Sequence, residues 1–104
     1  MDDLTIPYAG TAGLTLTVTT DLTHVCPVVK ERDFGKVEIT YKPATRLLEL
    51  HALRRYLASF DGVVITHEEL TAYVKAAIAL ELRPEQLTVT THWTTAGLGY
   101  TVAA

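Results

Sequence analysis

The sequence predicts an α+β domain, an antiparallel four-stranded sheet with two helices packed on one face, in the order ββααββ. Three observations carry that prediction. Two segments before Pro43 alternate apolar and polar residues with a period of two, and two central segments space their apolar residues at threes and fours. The final segment returns to a period of two around a turn.

From Gly13, GLTLTVTT alternates leucine or valine with threonine, giving the first strand one apolar and one hydroxylated face. GKVEITYKP is the second strand, with Val37, Ile39 and Tyr41 on one side and Lys36, Glu38 and Thr40 on the other, until Pro43. In TRLLELHALRRYLASFDG, Leu47, Leu50, Leu53, Leu57 and Phe60 form the apolar stripe of a first helix that stops near Gly62. ITHEELTAYVKAAIALELRP opens on Thr66, whose hydroxyl can cap a second helix while Glu69 closes a capping box; this helix stops before Pro84. Its apolar residues run round much of its circumference, as expected of a helix packed on both the sheet and its partner helix. Two strands follow, at about residues 87–94 and 98–103, around a Thr-Ala-Gly turn. Residues 1–10 read as a loose lead-in to a single domain over residues 1–104.

A chain of 104 residues has room for one core and none for a separate cofactor domain. Apolar runs are broken by charge before membrane-spanning length, so a soluble protein with no membrane partner is expected. The start MDDLTIPYAG lacks a basic stretch followed by an apolar core, so neither signal nor transit peptide is expected, and the location is read as cytoplasmic. One cysteine cannot form an internal disulfide, and with four scattered histidines it offers no paired ligand spacing, so no metal is expected. A net charge of −3 argues against a general electrostatic grip on nucleic acid, although Arg54 and Arg55 can face a phosphate. A sheet with one bare face and two open edges is a liability in a lone chain. Strand addition between copies into a larger barrel is therefore expected, with sites at the subunit seams.

The candidate chemistry centres on THVCPVVKERDF, residues 23–34. Cys26 reads either as a small buried thiol or as a nucleophile in a loop set on a rigid scaffold. Asp33 reads as a turn residue ahead of Gly35 or as the proton manager that such a thiol needs. Glu68, beside His67 at the first turn of the second helix, either stabilises the helix end or accepts two parallel N–H bonds from a planar heterocycle. Glu49, near the start of the first helix, admits the same two readings. His24 is placed to tune the thiol, whereas His51 and His92 read as surface or packing residues, and Arg54, Arg55 and Lys75 as solvated helix faces. No hydrolase-type local motif surrounds Cys26.

Taken together, CPVVKERDF, VEITYKP, ELHALRRYLASF and THEEL resemble, in order and spacing, the 7-cyano-7-deazaguanine (nitrile) reductase family of the tunnelling fold, over residues 16–79. The resemblance implies that Cys26 adds to the nitrile carbon to give a covalent thioimide and that Asp33 protonates the nitrile nitrogen. It implies that Glu68 anchors the guanine-like edge with His67 beside it, and that Leu48, Glu49 and Leu50 form a substrate-contacting segment. Where the reductases read Ser-Lys-Ser-Leu-Lys, this chain reads LHALR at residues 50–54, so most hydroxyl and ammonium groups that hold the phosphates of NADPH are replaced. That departure, with the short chain, resembles the QueF-like amidinotransferases of archaeosine synthesis, in which ammonia displaces the thiol and no redox cofactor takes part. The expected partners are 7-cyano-7-deazaguanine as a base or within nucleic acid such as tRNA, an ammonia source, and further copies of the chain. The alternatives are NADPH-dependent reduction to 7-aminomethyl-7-deazaguanine, a non-catalytic binding module of the same fold, and a purely structural barrel subunit.

Overall fold

The computed structural model describes residues 3–10 and 13–104. In chain order its elements are β1 (Thr5–Pro7), β2 (Leu16–Val25), β3 (Arg32–Lys42), β4 (Arg46–Leu48), α1 (Leu50–Ala58), α2 (His67–Leu82), β5 (Gln86–Thr95) and β6 (Leu98–Ala103). Four strands form one antiparallel sheet in the order β2-β3-β5-β6, so the predicted ββααββ, α+β architecture is the one observed.

The register explains which residues make the core. Pairing of Val18 with Ile39, Ile39 with Val89, Gly35 with Trp93 and Trp93 with Tyr100 places these residues on one face. There Val37, Ile39 and Val89 meet Leu53 and Leu57 of α1 and Leu70, Val74 and Ile78 of α2 in a single buried cluster. Burying each such side chain contributes about 1.5–3 kcal/mol, which is what holds the helices on the sheet. The opposite face carries threonines and charges: Thr17 and Thr40 share a hydrogen bond at 3.1 Å, and Lys36 pairs with Asp21 at 2.9 Å, both exposed.

Several boundaries differ from the sequence reading, each for a nonlocal reason. The first strand starts at Leu16 instead of Gly13 and runs through the polar stretch to Val25, because β3 extends back to Arg32 and pairs along its whole length. The first helix starts only at Leu50. Arg46–Leu48, expected to be helical, instead pairs as β4 with β1, and Tyr41 Oη accepts the Leu48 N–H at 3.0 Å. Leu4, within the stretch read as a loose lead-in, is 1% exposed, and its N–H donates to Glu81 Oε1; Met1 and Asp2 lie outside the described residues. Leu50, assigned to the apolar stripe, is 58% exposed, and Ala52 takes the buried position.

Helix α2 is capped as expected: Thr66 Oγ1 accepts the Glu69 N–H at 3.1 Å. The Thr66 hydroxyl in turn donates to Glu69 Oε1 at 3.1 Å. The helix ends at Arg83 in a left-handed conformation ahead of Pro84. Sheet and core do not use up its apolar circumference, for Tyr73 and Leu80 remain exposed on its outer side. Among the described residues no helix is long and apolar enough to cross a membrane.

Gly35 is required by close approach. A Cβ there would overlap the Trp93 ring and lie 2.5 Å from the His92 carbonyl oxygen. Gly35→Ala should therefore cost about 1–3 kcal/mol of stability. Urea denaturation checks this, and a wild-type midpoint in the variant would contradict the packing described.

A candidate active site at the Cys-Pro hairpin

The β2–β3 hairpin places the cysteine. His24 pairs with Asp33 and Val25 with Arg32. The pairing continues to Cys26 and Glu31, since the Cys26 N–H donates to the Glu31 carbonyl at 2.9 Å. The Cys26 carbonyl then accepts the Lys30 N–H at 2.9 Å, and Lys30, at φ 60°, makes the left-handed step that closes the loop. With Cys26 opposite Glu31 and His24 opposite Asp33, Cys26 and Asp33 stand diagonally across the hairpin, positions roughly 7–8 Å apart in such a pair. The seven-residue spacing is the hairpin's own geometry. Cys26 is a free, half-buried thiol.

Asp33 is held from two further elements. Its Oδ2 accepts from His67 Nε2 of α2 at 2.8 Å and from Thr95 Oγ1 of β5 at 3.0 Å, with its side chain only 12% exposed. The His67 ring lies nearly flat on Trp93, with centroids 4.4 Å apart and planes 18° apart. Beneath them runs a directed hydrogen-bond chain. Trp93 Nε1–H donates to Thr91 Oγ1 at 2.8 Å, Thr91 to Thr71 Oγ1 at 2.6 Å, and Thr71 to the His67 carbonyl at 2.7 Å. Every hydroxyl in that chain both donates and accepts, so the first turn of α2 is tied to β5 without an unpaired group.

His24 stands opposite Asp33, 1% exposed, with its ring edge-on to both His67 and Trp93 at 4.8 Å. Its Nδ1 lies 2.7 Å from the Ile65 carbonyl, which can only accept, so Nδ1 carries the proton. Burial holds its pKa below the usual histidine value against the opposing pull of the Ile65 bond and of Asp33. Its Nε2 is buried without a hydrogen-bond partner among the described residues, 4.0 Å from Asp33 Oδ2. His24, Asp33 and His67 offer three donor atoms within 4.8 Å of one another. Of these atoms, His67 Nε2 and Asp33 Oδ2 are bonded to each other.

Glu68 faces outward beside this cluster. Its Oε2 accepts the Tyr100 hydroxyl at 2.6 Å, and that bond, followed by the helix-end N–H, holds its pKa below the usual value. Glu68 in turn raises the pKa of Tyr100.

Of the sequence candidates, Cys26, Asp33, His67 and Glu68 come together at this end of the sheet. Leu48, Glu49 and Leu50 do not join them. They sit at the β4–α1 corner beside Tyr41, eight residues up β3 from Asp33, about 26 Å away along the strand. Leu48 is a core residue at 4% exposure. Glu49 caps α1, its Oε2 accepting the His51 N–H at 2.6 Å, and that bond chiefly lowers its pKa. Thr95, Trp93 and Tyr100 were not singled out by sequence. They reach the site only through the β3–β5–β6 register, and the single tryptophan among threonines was the one local signal.

A family model described as "QueF-like protein" matches residues 32–103. The chain belongs to the QueF-like family. It is 34% identical over 93 residues to an NADPH-dependent 7-cyano-7-deazaguanine reductase of Rhodopseudomonas palustris (strain BisB5), covering 89% of this chain and 59% of the relative. The corresponding reductase of Bradyrhizobium diazoefficiens is 33% identical, with 89% and 61% covered. The QueF-like chain thus spans about three-fifths of the length of these relatives. Its fold superposes on a crystal structure of an archaeosine synthase QueF-Like in the apo form, with a TM-score of 0.86 and 24% identity over 90% of this chain and 94% of that one. The tunnelling fold expected from the sequence is thereby the observed one.

Tyr100→Phe removes the strongest influence on Glu68, so the Glu68 carboxyl should titrate at higher pH in the variant than in the wild type. Carboxyl carbon NMR across the acid range checks this; identical titrations would mean that the bond does not form in solution.

Proposed function

We propose that this QueF-like chain attacks the nitrile of 7-cyano-7-deazaguanine with Cys26 and, with ammonia, converts it to the amidine. The observation that carries this reading is the diagonal Cys26–Asp33 pair, with the carboxyl fixed by His67 and Thr95. Addition forms an S–C bond and places negative charge on the nitrile nitrogen, so a proton donor must stand within reach of the sulfur's target. Asp33 supplies that proton, and the thiol proton replaces it, leaving a neutral thioimide on Cys26. Ammonia then adds to the same carbon, the C–S bond breaks, and one ammonia proton returns through Asp33 to the thiolate. Glu68, oriented by Tyr100 and flanked by His67, accepts the N–H pair of the guanine-like edge.

The segment in which the reductases carry their phosphate-holding serines and lysines does not fit NADPH here. At residues 50–54 Ala52 and Leu53 are buried in the core and Leu50 presents an apolar side chain, which leaves the His51 imidazole, bonded to Glu49, and the Arg54 guanidinium in place of two serines and two lysines. We therefore read the second step as ammonia transfer without a redox cofactor. Reduction to the aminomethyl product is the second reading, favoured by the names of the curated relatives. The substrate is the nitrile base, free or within nucleic acid such as tRNA.

The position of Leu48, Glu49 and Leu50, far from Cys26 in the same chain, supports a homo-oligomer in which a neighbouring copy brings this corner to the Cys26 end. The edge strands β2 and β6 are its natural seams. No part of this chemistry needs a membrane, and we assign it to the cytoplasm.

Intact-mass spectrometry after mixing with 7-cyano-7-deazaguanine should show an adduct of one nitrile molecule, absent in Cys26→Ala. Its absence in the wild type would sink the reading. Amidine formed from ammonia without NADPH supports the assigned second step, and oxidation of NADPH by the base overturns it. In Asp33→Asn, adduct formation should slow by about 100-fold or more, the usual contribution of a positioned acid.

A further inference from the structure

The chemistry above uses Asp33 and His67 and leaves His24 without a part, although its ring is buried between them and Trp93. Its Nε2 is a buried nitrogen with no hydrogen-bond partner among the described residues, and such an atom is costly to keep unless something uses it. The nitrogen is also aimed. The Ile65 carbonyl takes the Nδ1 proton, and Ile65 is itself fixed by its N–H bond to the Val25 carbonyl at 3.2 Å. The tautomer is thereby set, and the Nε2 lone pair faces Asp33 Oδ2 at 4.0 Å.

We propose that His24 and Asp33 hold one proton in common, His24 being the positioning residue that keeps this proton available at the Asp33 carboxyl. The proposal rests on the nitrile-addition reading, in which Asp33 delivers that proton. Without a proton between them, a lone pair faces a carboxylate in a poorly solvated place. One proton removes the conflict in either position, as an imidazolium N–H directed at Oδ2 or as a carboxyl O–H directed at Nε2. The pair then holds and gives up that proton as a unit, while the His67 and Thr95 bonds keep the same oxygen in place. The groups set against His24 are Asp33 from β3 and His67 from α2, with Glu68 near enough to act through its charge and Cys26 two residues on, just past the end of β2. His67 opposes positive charge on His24, while Asp33 and Glu68 favour it. During addition the pair's proton goes to the nitrile nitrogen and the thiol proton refills the pair. During displacement an ammonia proton enters the pair and one leaves to the sulfur, so the count closes.

The test follows the rate of adduct formation with 7-cyano-7-deazaguanine against pH, in the full chain and in His24→Phe, which keeps a buried ring and removes both nitrogens. The high-pH limb should move to lower pH in the variant, so that adduct formation slows by about tenfold or more near neutrality yet approaches the wild-type rate on the acid side. An unchanged profile, or equal slowing at every pH, overturns the proposal. A second measurement needs neither that variant nor a substrate: nitrogen NMR of the His24 imidazole in the wild type and in Asp33→Asn. His24 should take its proton at lower pH when the carboxylate is gone, and identical titrations overturn the shared proton. Failure of the nitrile reading is distinguishable, since a wild type that forms no adduct leaves the imidazole titration to decide the pair.

Discussion

The backbone of Val25 turns both of its polar groups away from the sheet. Its N–H donates to the Val63 carbonyl at 2.9 Å, and its carbonyl accepts the Ile65 N–H at 3.2 Å, a short parallel bridge along the outer edge of β2. This clamp sets the link between the helices against the strand that carries the thiol. It fixes where Thr66 begins α2, and hence where His67 and Glu68 project. It also presents the Ile65 carbonyl to His24. Loosening it would shift Cys26 and the start of α2, with His67, relative to Asp33.

From that contact the site acquires its electrostatic character. The first turn of α2 brings backbone N–H groups and their partial positive charge to the end of the sheet where Asp33 and Glu68 lie. Both carboxylates are nevertheless held by side chains from other elements, Asp33 by Thr95 and Glu68 by Tyr100, so β5 and β6 share the work of orientation with the helix. Between them Trp93 supports His67 from below and forces glycine at residue 35 across the sheet. A single large side chain therefore links the packing of the sheet to the placement of the proton-handling groups.

How much of this was legible in the sequence depends on whether a feature is local. The alternation in GLTLTVTT and GKVEITYKP and the cap at Thr66 made the order of the main sheet and the start of α2 readable, because each is decided by neighbours within a few residues. The β1–β4 ribbon was not readable. Arg46–Leu48 carries a leucine pair that also suits a helix, and it becomes a strand only because residues some forty positions earlier lie alongside it. The spacing from Cys26 to Asp33 was visible in the sequence, while the reason for it, the diagonal of a hairpin, is visible only in the register. Thr95, Tyr100 and the buried Thr71–Thr91 contact were out of reach for the same reason, since nothing near them in sequence announces a partner on another element.

The distance between the Cys26 end and the Glu49 corner has a consequence for how damage would spread. If a second copy completes each pocket, every chain lends its thiol end to one pocket and its β4–α1 corner to another. A defect at either end is then felt in a pocket whose other half comes from a different chain. Mixed assemblies of two differently defective chains would still contain pockets built wholly from sound halves, so function would be inherited by interfaces rather than by chains.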